Sequence, residues 1–267
     1  MRIVALAAVA AVFARPAIAA DFSQPPPAGD PIYAPKSMTL VGHLELGVGF
    51  INSNSDNAGM FAGAGRVNIP LHNDWNIQAD LNAAAVFQSG GYSTAGAGPA
   101  VHVWHRGAQG AVGVFGGVLF GGATTGFGGA EATVDVSPST TLGIQASAGS
   151  TSAGSSHATY WNVRGWGNFY FTPDTKLRGD LGYTSAAGAS VWNVAATLEH
   201  RFTASPMSVF GRVAYVNGSG NGSSASAWSG AVGLRLFLDP PGTTLRDHDH
   251  MVPWDAQGLQ VFASPPV

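Results

Sequence analysis

Near the end of the chain, RDHDH at 246–250 sets Asp247, His248, Asp249 and His250 side by side. Imidazoles and carboxylates so close together are the donor set of a weak transition-metal site. They are equally the make-up of a solvated tail, and that is the expectation adopted, with no metal and no cofactor assigned. His105 and His200 raise the question of a Ser–His hydrolase, but no serine stands at a matching height and triad geometry is not legible in one sequence. No enzymatic activity is expected. AGAGPA at 95–100 and GVFGGVLFGG at 113–122 are glycine-rich. Neither bridges a strand and a following helix, as a phosphate cradle requires.

The densest chemistry is electrostatic. TKLRGDLGY at 175–183 puts Lys176, Arg178 and Asp180 at every second position, with Leu177, Gly179 and Leu181 between them. On a strand this makes one charged face and one apolar face. A soluble sheet turns the charges to water, whereas a membrane barrel turns the leucines to lipid and the charges to its lumen. Composition bears on the choice. Of 267 residues only 10% are charged, against about 25% in ordinary soluble proteins. That is too few for a charged skin. The net charge of −3 gives no basic surface for nucleic acid, and no cysteine is present for disulfides.

Residues 1–20 read as a secretory signal peptide: Arg2, an apolar run from Ile3 to Phe13, and Ala17-Ile18-Ala19 before the cleavage point. Residues 21–37 are proline-rich and aperiodic, a periplasmic linker. From 38 to 238 the pattern alternates, and no stretch approaches the length of a spanning helix. Strands are expected at 38–50, 58–70, 75–88, 92–106, 109–120, 126–137, 141–150, 157–172, 175–185, 189–203, 206–217 and 226–238. Compact turns such as PLHND and TPDT alternate with looser Gly/Ser/Asn segments such as NSNSDNAG and NGSGNGSSAS, read as external loops. The last of these holds Asn217-Gly218-Ser219 and is the longest. Residues 239–267 form a periplasmic tail, in which Trp254, Leu259, Val261 and Phe262 could dock under the barrel or plug it.

Every charged strand residue falls on the polar parity: Glu45, Arg66, Asp80, Arg106, Glu131, Asp135, Arg164, Lys176, Arg178, Asp180, Glu199, Arg201, Arg212 and Arg235. On the apolar parity, Phe50, Phe61, Phe87, Phe120, Trp161, Tyr183, Trp192, Tyr215 and Trp228 lie near external ends. Trp75, Phe169, Phe171 and Phe202 lie near periplasmic ends. Two aromatic belts around an aliphatic band is the membrane-interface arrangement. Trp104, Phe115, Trp166 and Phe237 fall on the lumen side, filling the bore or marking a bulge.

The paired strands RVNIPLHNDWNIQADLN and YFTPDTKLRGDLGY, and the terminal GAVGLRLFL, resemble those of proteobacterial outer-membrane, porin-like β-barrels. The resemblance implies an all-β, 12-stranded antiparallel up-and-down transmembrane β-barrel in a Gram-negative outer membrane. Leu234, Leu236 and Leu238 match the alternating last strand of such proteins, although here a tail follows.

The fourteen charged residues, with His43 and His102, are the candidate pore-lining set. Their order places an acidic arc in the first six strands and a basic arc in the last five. Such an arrangement sets up a transverse field, and charged rings are how pores select ions. Local pairing is the competing account for any single residue, with Arg164 meeting Asp180 and Arg178 meeting Glu199. The expected function is passive diffusion of ions or small polar solutes, with slight anion preference because eight basic groups face six acidic ones. The alternative is a structural or surface-interaction barrel closed by paired charges and Trp166. The solute and the oligomeric state are not legible.

Overall fold

The computed structural model describes residues 40–255, apart from 54–56, 89–92, 187, 204 and 221–222. The signal peptide, the proline-rich linker, Leu259, Val261 and Phe262 lie outside the described residues. Twelve strands follow in order: β1 (Val41–Ser53), β2 (Asn57–Pro70), β3 (Trp75–Gln88), β4 (Ser93–Gly107), β5 (Gly110–Phe120), β6 (Thr124–Ser137), β7 (Thr140–Ala153), β8 (Ser156–Thr172), β9 (Thr175–Ala186), β10 (Ala189–Arg201), β11 (Met207–Gly220) and β12 (Ser223–Phe237). Each pairs antiparallel with its neighbours, and β1 pairs with β12 to close the cylinder. Closure leaves no open edge, so every ladder group can find a partner in a medium without water. A short helix, α1 (Leu245–Met251), follows the barrel.

Alternation explains the wall. Leu81 is 58% exposed, Leu181 60% and Val232 60%, while Asp80, Asp180 and Glu199 beside such positions are buried. The aliphatic side of the sheet therefore faces outward and the charged side inward. Arg at the position of Leu181 is expected to cost about 2–4 kcal/mol at the bilayer midplane. The measurement is the urea midpoint of Leu181→Arg folded in lipid vesicles. A loss below about 1 kcal/mol would mean that this face does not meet hydrocarbon.

The belts also follow the alternation. Phe50, Phe61, Phe87, Phe120, Trp161 and Trp192 are exposed towards one end, and Trp75, Phe169, Phe171 and Phe202 towards the other. The four aromatic residues read as lumen-facing, Trp104, Phe115, Trp166 and Phe237, are buried inside without a phase switch, as are Phe127, Tyr170 and Phe210. Register shifts occur instead at Asp135/Ser137 and Tyr170/Thr172, near strand ends.

The external loops differ from expectation. β7 and β8 run to Ala153 and from Ser156, and β11 and β12 to Gly220 and from Ser223, where 150, 157, 217 and 226 were expected. Asn217-Gly218-Ser219 belongs to β11, not to a loop. Backbone pairing continues through these Ser/Gly-rich stretches, with Ser219 opposite both Ser190 and Ser224 and a 3.1 Å hydroxyl contact between Ser190 and Ser219. A strand needs no apolar residues where both of its faces are wet. Gly154, at φ +59°, makes the β7–β8 connection tight.

Candidate functional site: the lumen and its C-terminal plug

All fourteen charged strand residues turn to the interior, and they gather in the periplasmic half of the cylinder. Asp180 is the centre of one cluster. Its Oδ1 accepts from Arg164 Nη2 at 2.7 Å and from Arg178 Nη2 at 3.0 Å, and Arg212 Nη1 lies 3.8 Å from Oδ2. Glu199 is the centre of a second. It accepts from Arg235 at 2.8 Å, Lys176 at 3.2 Å and Ser208 Oγ at 2.6 Å, and Arg235 also reaches Glu45 at 2.7 Å. Opposite these, Glu131 meets His102 Nδ1 at 2.8 Å and Gln145 Nε2 at 2.7 Å, and Asp80 meets Gln78 Nε2 at 2.7 Å. Arg106 pairs with Asp135 at 2.7 Å, and Arg201 with Asp239 at 2.8 Å.

Of the two pairings read from the sequence, Arg164 does meet Asp180, whereas Arg178 does not meet Glu199. The register sets Lys176 opposite Glu199 and Arg178 opposite Thr197, so the lysine takes the glutamate. Arg178 turns to Asp180 on its own strand and to Asp255.

The tail corrects the sequence reading most. It is not a solvated appendage. Thr244 caps α1, its hydroxyl accepting from the Asp247 N–H while Asp247 reaches back to the Thr244 N–H. The helix thereby projects Leu245, His248 and His250 into the periplasmic mouth, where all three are buried. The DHDH side chains diverge rather than converge. Asp247 is spent on the cap, His248 meets Asp239 and His43, Asp249 accepts from Lys176 at 2.5 Å and Tyr170 at 2.7 Å, and His250 lies 3.0 Å from Asp135. No three His, Cys, Asp or Glu among the described residues form a metal-holding group.

A hydrogen-bond chain threads this mouth. Arg66 Nη1 only donates, so His43 Nε2, 2.9 Å away, accepts. His43 Nδ1–H then donates to His248 Nε2 at 2.7 Å, and His248 Nδ1–H donates to Asp239 at 2.8 Å.

Deeper in, Trp254 is fully buried. Its ring stands edge-on to Trp104 at 6.2 Å and to Trp166 at 6.3 Å. Trp166 lies across Gly143, its cross-strand partner, where any Cβ would collide with the indole. Asp255 follows and meets Arg178 at 2.6 Å, Arg66 at 3.1 Å and Arg164 at 3.4 Å. Strands β2 and β8 stand opposite each other in the ring, so one tail carboxylate bridges facing walls.

Asp239, Asp249 and Asp255 together change the electrostatic balance. They raise the acids bound in the lumen from six to nine, against eight bases. The basic excess belongs to the strands alone, and the docked tail reverses it. Burial opposes the charged form of Asp255, but Arg178, Arg66 and Arg164 outweigh it and hold its carboxyl well below the usual range. Asp249 is lowered against its burial by Lys176 and then His248. A carboxyl with a depressed pKa when docked favours docking fully above its free value, about 3.9, and loses that contribution as pH falls towards the docked value. The difference in tail protection between the native chain and Asp255→Asn is thus expected to be flat from about pH 5 to 8 and to shrink below about pH 4. Hydrogen exchange of the α1 amides against pH measures it.

Trp254, read from the sequence as able to dock under the barrel or plug it, does lie in the bore; the aspartate contacts of the tail escaped the sequence reading, but a signal was available. Four aspartates at 239, 247, 249 and 255 against Arg246 alone sit directly after strands whose lumen faces carry more bases than acids.

No family model matches the chain, and no curated protein sequence does. Solved structures do. The COG4313 outer membrane channel from Pseudomonas putida F1 superposes with a TM-score of 0.61 at 13% identity, covering 79% of this chain and 98% of that one. The chain has the fold of outer-membrane channels. The NanC porin matches with a TM-score of 0.53, also at 13% identity, over 71% of this chain and 98% of its own. At these identities the likeness is one of architecture. Both relatives are channels or porins rather than enzymes.

Proposed function

We propose that the protein is a passive channel for ions or small polar solutes in a Gram-negative outer membrane, exported by its N-terminal signal segment. The observation that carries this reading is the division of the wall: apolar side chains between two aromatic belts outside, and a polar, charge-bearing interior. Channel architecture in distant relatives supports it. The fourteen inward charges, with His43 and His102, are its pore-lining groups. Anion preference follows from the strand charges and is suppressed while the tail is docked.

A second reading, a closed structural barrel, is favoured by one observation: α1 and Trp254 fill the periplasmic half. Planar-bilayer recording decides between them. Discrete current steps, with a reversal potential in a KCl gradient that shifts towards chloride on removal of residues 240–267, support the channel. Silence from native and truncated folded protein in every salt would leave the closed barrel.

A further inference from the structure

We propose that Arg66, Arg164 and Arg178 form a binding site for small carboxylate-bearing solutes, kept filled in the resting protein by the side chain of Asp255. The inference deepens the channel reading and rests on it only in that the solute arrives through the lumen.

Three observations carry it. The first is convergence: guanidiniums from β2, β8 and β9 point at one carboxylate across the bore, at 2.6 to 3.4 Å. A guanidinium fork matches the two oxygens of a carboxylate, so the occupant reports the site's chemistry. The second is preorganisation. Arg164 and Arg178 lie 5.5 and 5.3 Å from the Trp166 ring centre, and both are tied to Asp180, a wall residue that is not part of the tail. The third is that the occupant is tethered rather than structural. Asp255 lies beyond the last strand and α1, and among the described residues side-chain amides of the wall hold its main chain and that of Trp254. Gln145 Nε2 donates to its carbonyl at 3.2 Å, and Gln78 Nε2 donates to that of Trp254 at 2.9 Å. These amides become further donors for a solute once the tail withdraws. Towards the outside, Ser147, Asn162 and Asn193 line the lumen, so a carboxylate approaches past neutral groups.

The site is tested by equilibrium dialysis of labelled succinate against the folded, detergent-solubilised full chain, with succinamide as the uncharged competitor. Asp255→Ala leaves the guanidiniums facing the space of the lost carboxylate. Asp255→Asn removes the charge and keeps the shape, should the alanine variant fold poorly. Because a tethered competitor acts at effective concentrations around millimolar, either variant is expected to bind succinate at least about tenfold more tightly than the native chain. Succinamide is expected not to displace it, and Arg178→Gln added to either variant should abolish the gain. Equal succinate binding by native and variant chains, or equal competition by succinamide, would overturn the site. Conductance of the same preparations is read separately. Succinate binding without current leaves the site standing and removes the channel reading, and current without succinate binding does the reverse.

Discussion

Asp180→Ala is expected to destabilise the barrel by about 3–5 kcal/mol, the cost of removing one partner from a buried ion cluster. The Asp180 side chain has no exposure, and Arg164 and Arg178 are only 7% and 11% exposed, so water does not replace the lost carboxylate. Asp255 is left to neutralise both while also holding Arg66. Arg212, a third of whose side chain is exposed, is the least affected of the group. Urea titration in lipid vesicles, followed by tryptophan emission, measures the loss. A change below about 1 kcal/mol would mean that lumen water solvates the guanidiniums, and the cluster would then be electrostatically soft.

Trp254→Ala is expected to release the tail without unfolding the barrel. A buried tryptophan replaced by alanine costs about 3–5 kcal/mol, and here the whole cost falls on docking. The undocked population then rises by roughly 10²- to 10⁴-fold. Trypsin reads this directly. Arg246 is held against the periplasmic turns, its side chain donating to the Pro138 carbonyl and its N–H to that of Pro173, so cleavage after it requires release. The native tail should resist digestion, and the variant should lose its last residues while the barrel keeps its heat-modifiable migration. Equal digestion of both would show that the indole packing between Trp104 and Trp166 does not hold the tail.

The wall was legible in the sequence because alternation is local. Lys176, Arg178 and Asp180 share a face whatever their neighbours are, and the aromatic residues of the other face mark where the membrane ends. Pair choice was less legible because it depends on register. Shifting β9 against β10 by two residues would give Glu199 to Arg178, and the length of the connecting turn decides this. The external ends of β11 and β12 were missed because Ser, Gly and Asn look like loop residues, although Ser219 and Ser224 pair as strand. The charge partners of the plug were hidden for a different reason. Asp239, His248, Asp249 and Asp255 acquire meaning only against groups up to about two hundred residues earlier, as His43 and His248 show. Trp254 and its apolar neighbours pointed to a docked tail, but only the complementarity of an acidic tail and a net-basic lumen pointed to these charge partners.

The contacts of Asp255 also set an order of assembly. Its three partners come from β2, β8 and β9, and those of the preceding helix from β1, β6, β7 and β9 as well. No incomplete sheet presents them together, so the tail has no destination until the first and last strands have joined. Cylinder closure comes before tail docking, and the pairing of these aspartates marks the end of maturation rather than a step towards it.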